Sequence, residues 1–336
     1  DPDLIEAVAQ ASIAEAIACG TNWNFAPMVD ISRDPRWGRI AESIGEDSFL
    51  SSEISRAWVR GFQSYRNPDG RCAAACVKHY AAYGGAEAGK DYNTVDMSER
   101  RLREEYLPPY LAAIQAGAKS VMTAFNDLNG LPATANPFLL KQILRKEWGF
   151  EDIIISDYDS IGELVLHGFA RDLKEAALRS ILAGVDIDMM SNAYHFHLTD
   201  LVREGKVEES LIDESVLRIL IMKADLGLFD HPYIDEGVVA SSLSQQDSLR
   251  LAEQAAAQSV VLLKNESQTL PLEASGKTIA LIGPLIEDRD SLMGCWRFDG
   301  RTEEVETLSE ALKRNLPADS TLLTAPGCSI EGNNLD

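Results

Sequence analysis

An aspartate stands one serine beyond three isoleucines in Ile153-Ile154-Ile155-Ser156-Asp157-Tyr158. A continuous apolar run of this length is a strand buried on both faces. A carboxylate at its C-terminal end sits at the mouth of a parallel sheet, where barrel enzymes keep their reacting groups. Such a carboxylate can attack an anomeric carbon and form a glycosyl-enzyme intermediate. It must stay ionised to do so, which calls for a cation or hydrogen-bond donors close by, and Lys78 and Arg39 are the candidates. The competing role for Asp157 is a helix cap. Asp159, two residues on, is the better placed of the two for capping.

Three further groups carry side chains able to grip a polar ligand. Asp34-Pro35-Arg36-Trp37-Gly38-Arg39, followed by Glu42 and Gly45-Glu46-Asp47, is a stiff loop holding two guanidinium groups and an indole. That set suits a flat polar ligand such as a sugar, and equally a structural loop clamped by ion pairs. Lys78-His79 follows the strand-like Cys72–Val77 and offers charged donors to hydroxyl groups. The plain alternative is a lysine solvating the sheet rim, and a strand-end lysine is also what a Schiff-base aldolase would use. Gly84-Gly85-Ala86-Glu87-Ala88-Gly89-Lys90-Asp91-Tyr92-Asn93 is not a phosphate loop, because no Gly-Lys-Ser/Thr opens a helix there. It is expected to be a flexible loop folded over the site.

The elements that must position these groups follow from periodicity. Helical patterns are predicted at about Pro2–Cys19, Glu46–Tyr65, Ser98–Ala116, Asn136–Trp148 and Asp172–Ala183. Apolar strands are predicted between them, at about Phe25–Met28, Cys72–Val77, Lys119–Phe125, Asp152–Ser156 and Val185–Met189. Helices alternating with continuous apolar strands mean a parallel α/β sheet, either open or closed. Polar residues at successive strand ends favour a (β/α) TIM-like barrel whose first strands lie outside this stretch. The Pro-, Gly- and Ser-containing residues 231–246 are expected to be a linker between a barrel domain, 1–230, and the start of an α/β sandwich, 247–336. In that second part a helix at about Gln246–Gln258 leads into Val260-Val261-Leu262-Leu263. A strand at Thr278–Ile282, a helix at Thr307–Leu316 and a strand near Thr321–Ala325 follow.

Composition narrows the class. With 45% hydrophobic and 25% charged residues the chain packs as a globule, and its net charge of −22 excludes a nucleic-acid partner. No apolar run is long enough to span a membrane. Five scattered cysteines, Cys19, Cys72, Cys76, Cys295 and Cys328, show no zinc spacing. Cys72 and Cys76 are expected to be buried thiols. No signal peptide is visible, and both ends are abrupt.

DPRWGR, KHY, SER, VMTAFN and SDY, in this order, resemble glycoside hydrolase family 3. The stretch VKHYAAYGGAEAGKDYNTVDMS is similar to its periplasmic β-glucosidases, as are VVLLKN and LPL further on. The resemblance implies a (β/α) barrel followed by an α/β sandwich, no cofactor and no metal. It implies retaining hydrolysis of terminal β-D-glucosyl residues from small β-glucosides or oligosaccharides, a periplasmic or secreted location, and a possible homodimer. Asp157 matches the nucleophile; Arg39, Lys78, His79, Lys90, Met122 and Tyr158 match sugar-contacting positions. Lys90 stands where relatives usually have arginine, Phe125 where many have a tyrosine bonded to the nucleophile, and Asp152 where a glycine is common. The acid/base glutamate is implied to lie outside residues 1–336, with Glu331 as a minor candidate. The alternatives are a β-xylosidase of the same family and a catalytically incomplete sugar-binding fragment.

Overall fold

The structure, a computed structural model, describes residues 1–243, 245–294, 296–297 and 300–330. Cys295 and the candidate acid Glu331 lie outside the described residues. The chain divides into two compact units, Asp1–Ser259 and Val260–Asp336.

The first unit is built on a parallel sheet of β1 (Trp23–Asn24), β2 (Ala74–Tyr80), β3 (Ser120–Thr123) and β6 (Ile153–Ile155), adjacent in that order. Between β3 and β6 in the chain, β4 (Asp127–Leu128) and β5 (Leu131–Pro132) form a small hairpin. Its Asn129-Gly130 turn has positive φ at both residues, which Asn-Gly adopts readily, so the pair was a legible hairpin signal. The parallel α/β reading of the sequence holds. The regular first strand is shifted to Trp23–Asn24, but the predicted segment still runs along β2: Cys76 and Lys78 donate main-chain N–H groups to the Ala26 and Pro27 carbonyls, and Met28 bridges to Lys78. Likewise Val185–Met189 is reduced to one bridge, Ile187 on Ile155, although Asp186 and Ile187 still donate to the Ile154 carbonyl.

Side chains alternate across the sheet. Ala73, Ala75, Val77, Val121 and Ile154 face the main core under the helices. Ala74, Cys76, Met122, Ile153 and Ile155 face the other way, into smaller apolar clusters with Trp23, Ile187, Met189, Met222 and Leu226. The parity that sends Ile153 and Ile155 to this second face carries on to Asp157 one pleat later.

Helices Pro2–Ala18, Ser48–Ser64 and Leu173–Ala183 start where Asp1, Asp47 and Asp172 accept first-turn N–H groups. The first two cross at Gly61, where a Cβ would come within 2.4 Å of the Ala9 Cβ, so only glycine permits that approach. The helix expected over Ser98–Ala116 is broken into Glu99–Arg101, a wider π turn Leu102–Tyr106, and Pro108–Gln115, because Pro108 and Pro109 have no N–H to continue the ladder. The predicted helix Asn136–Trp148 is π-type over Phe138–Glu147. Helices Ala193–Arg203 and Glu209–Asp225 were not anticipated, while the expected helix at about Gln246–Gln258 is present as Gln246–Ser259, at the end of this unit. Cys72 and Cys76 are buried free thiols, as expected.

In the second unit β7 (Thr278–Ile282) pairs in parallel with β8 (Thr321–Ala325). Helix Leu308–Asn315 opens with a reciprocal cap between Thr307 and Glu310. Val260–Leu263 forms no regular element and is exposed, despite its apolar sequence.

Candidate active site

Asp157 lies at the C-terminal end of β6, 7% exposed. Its Oδ1 accepts the N–H of Tyr158 at 2.6 Å, while Oδ2 is buried with no hydrogen-bond partner among the described residues. The His79 ring lies beside that oxygen, with Nε2 3.4 Å away but not aligned for a hydrogen bond. The capping alternative fails for both aspartates. The Asp157 side chain accepts its neighbour's N–H, and helix Glu163–Leu166 has Gly162 at its N-cap position with no side-chain cap, Asp159 lying in a left-handed turn before it.

Lys78 and His79 lie within the last residues of β2, just before Tyr80, and are joined by a cis peptide bond. His79 is buried, with Nδ1 2.8 Å from Asp30 Oδ2. The Asp30 carboxylate also accepts the His79 N–H at 2.9 Å and the Tyr110 hydroxyl at 2.8 Å. Lys78 is half-buried beside it.

The DPRWGR loop is organised from within. Asp34 caps the turn Pro35–Trp37 and pairs with Arg36, which holds its carboxyl at about 2. Trp37 is buried, donates to Asp91 at 2.9 Å and meets Tyr83 edge to face. Arg39 forks onto Glu42 at 2.7 and 2.9 Å and lies 5.5 Å from the Tyr83 ring centre. Burial works against its charge, but the Glu42 carboxylate and Tyr83 outweigh that, so its pKa lies above the ordinary value. Tyr83 in turn meets His79 edge to face at 5.3 Å. One packed chain of groups thus runs from Arg39 through Tyr83 and His79 to Asp157.

The loop of residues 84–93 packs tightly on its neighbours at two glycines. A Cβ at Gly84 would meet the Ile31 carbonyl oxygen at 2.2 Å, and one at Gly89 the Asp34 carboxylate at 2.5 Å. Tyr92, from the same loop, packs on Phe125 at 4.7 Å, and Phe125 also lies against Tyr83. Phe125 brings no hydroxyl toward the unpartnered oxygen of Asp157.

Of the other expected residues, Tyr158 is 60% exposed at the rim and Lys90 is exposed on its loop. Met122 lies a layer deeper, buried against Cys76 and Ile155. Arg39 is committed to Glu42. Three residues were missed by sequence reasoning. Asp30 carried a signal, a carboxylate between Val29 and Ile31 that burial obliges to find partners. Tyr110 carried none. Glu163, four residues past Asp159, has its pKa raised to about 7 by burial, then by Asp159 and by Asp157.

Residues 1–222 match the family described as Glycosyl hydrolase family 3 N terminal domain, and residues 260–327 match its C-terminal domain. The chain is 41% identical over 98% of its length to a periplasmic beta-glucosidase of Salmonella typhimurium, of which it covers 43%. It is 35% identical over 98% of its length to a beta-xylosidase of Formosa agariphila, of which it covers 48%. Its fold superposes with a TM-score of 0.93 on a mutant beta-glucosidase of Listeria innocua in complex with laminaribiose, at 43% identity, covering 100% of this chain and 46% of that one. The chain therefore spans less than half the length of these relatives.

Proposed function

We propose that this chain, which belongs to glycosyl hydrolase family 3, carries the nucleophile side of a retaining β-glucosidase site. The observation that carries the reading is the buried Asp157 at a strand end, with one oxygen unpartnered and a histidine facing it. In this reading Asp157 attacks the anomeric carbon and forms a glycosyl ester. Retaining hydrolysis needs a second carboxyl about 5–5.5 Å away to protonate the leaving oxygen, and in this reading a glutamate outside residues 1–336 supplies it, as the family resemblance implies. Water then releases the sugar. His79, Lys78 and Arg39 grip the glycone, Tyr158 and Met122 line its site, and Lys90 approaches from its loop. Substrates are small β-glucosides or oligosaccharides; laminaribiose, bound by the Listeria relative, is a first choice.

The parallel sheet is read as part of a (β/α) barrel over 1–230, with a linker at 231–246 and the start of an α/β sandwich at 247–336. A periplasmic or secreted location and a homodimer belong to the same reading.

A 2-deoxy-2-fluoro-β-glucoside with an activated leaving group needs no acid, so it tests the nucleophile alone. Intact mass and peptide mapping are expected to place one fluoroglucosyl group on Asp157, and none on an Asp157→Asn variant. Label on the fluoroxyloside only would favour the β-xylosidase reading, which the Formosa relative supports. Absence of label from both would overturn the assignment.

A further inference from the structure

The His79 imidazole is buried between two carboxylates, with Nδ1 2.8 Å from Asp30 Oδ2 and Nε2 3.4 Å from Asp157 Oδ2. The two ring nitrogens are not equivalent. Asp30 accepts the His79 main-chain N–H through the oxygen that meets Nδ1, and its other oxygen lies 2.8 Å from the Tyr110 hydroxyl. That hydroxyl also lies close to the His79 carbonyl oxygen. Burial, and then the Asp30 charge, push the Tyr110 pKa well above its ordinary value, so it remains a hydrogen donor. A carboxylate only accepts, so the hydrogen in the Nδ1 contact sits on the ring. Asp30 and Tyr110 are themselves buried and come from separate parts of the chain, a loop after β1 and helix Pro108–Gln115.

We propose that Asp30, held by Tyr110, is a positioning residue for the reaction at Asp157: it takes the Nδ1 hydrogen of His79 and so turns Nε2 toward the unpartnered nucleophile oxygen and a sugar bound there. Partners of this kind behind a functional histidine set both its tautomer and its ring orientation. With Nδ1 engaged, the ring cannot turn away, and Nε2 is left to meet a sugar hydroxyl. The effect on rate rests on the glycosidase reading above; the tautomer does not.

Two readouts on the 336-residue chain separate these claims. The first is nitrogen NMR with ¹⁵N-labelled histidine, the His79 signals being assigned by their loss in His79→Gln. The expected result is a slowly exchanging hydrogen on Nδ1 of His79. Asp30→Asn should abolish it in favour of the Nε2-bound form. Tyr110→Phe should keep it but speed its exchange, and serves if Asp30→Asn does not fold. A hydrogen on Nε2 in the unaltered chain, or a tautomer indifferent to Asp30→Asn, would overturn the proposal, as would unchanged exchange in Tyr110→Phe. The second readout is the rate of fluoroglucosyl labelling of Asp157. Asp30→Asn is expected to slow it by about 10–100-fold. In a His79→Gln background it should add less than about twofold, because the residue acts through His79. Factors that multiply would mean a merely structural role. If the unaltered chain takes no label, the glucosidase reading fails, and the His79 spectrum still decides the placement of the ring.

Discussion

A second carboxyl, that of Glu163, feels the charge of Asp157. Glu163 titrates at about 7 in the folded chain, against an ordinary 4.5, because burial and then the charges of Asp159 and Asp157 oppose its ionisation. The folded state therefore holds this proton more tightly than the unfolded chain does. The resulting stability is fully present below about 4.5 and is lost as pH rises through about 7. Glu163→Gln removes that dependence. Melting temperatures of variant and parent, compared at pH 5 and pH 8, should differ more in the variant's favour at pH 8. Equal differences at the two pH values would sink this account. The two arginines of the DPRWGR loop also have unequal duties. Arg36 is exposed and pairs with Asp34, whereas Arg39 is half-buried between Glu42 and Tyr83 on the path to His79.

At the scale of elements, the strand that delivers Asp157 is anchored on its flank by a buried aspartate with two half-buried arginines. Asp186 accepts from Arg145 and Arg218 at 2.9 and 2.8 Å, from Ser215 at 2.8 Å, and from the Ile154 main-chain N–H at 2.8 Å. It thereby ties helices Phe138–Glu147 and Glu209–Asp225 to β6. Removing a buried partner strands the remaining charges, so Asp186→Ala is expected to cost about 3–5 kcal/mol. Urea unfolding of the variant measures it. A loss under about 1 kcal/mol would mean that the cluster behaves like a solvated surface pair. The helices around it follow simpler rules. Those that begin with a capping aspartate lie within a residue or two of their predicted starts, because the cap signal is local. The segment 98–116 was misjudged as one helix because two prolines interrupt an otherwise continuous apolar period.

For the whole molecule, the two compact units differ in how well they bury their apolar residues. The first contains the large core, while β7 and β8 of the second leave Ile282 and Leu323 exposed. Val260, Val261, Leu262 and Leu263 open the second unit without hydrogen-bonded structure and are 61–91% exposed. Limited proteolysis with chymotrypsin or thermolysin is accordingly expected to cut first within residues 260–272, as read by mass spectrometry, leaving a resistant fragment close to Asp1–Ser259. First cuts inside Ser48–Ser64 or Leu173–Ala183 would contradict this.

The sequence by itself determined the parallel α/β class, most helix starts, the burial of Cys72 and Cys76, and the position of Asp157 at a strand end. Each of these rests on local periodicity or on a cap within a few residues. Tertiary structure alone decided which cation answers which carboxylate. Arg39, a candidate partner of Asp157, is bound to Glu42, and the group that faces Asp157 is His79, itself oriented by Asp30 and Tyr110. Those partners lie 49 and 31 residues from His79, and only the packing of a loop and a helix against the end of β2 brings them together. No spacing rule reaches that far, because such contacts follow from how whole elements pack and not from the chain's local period.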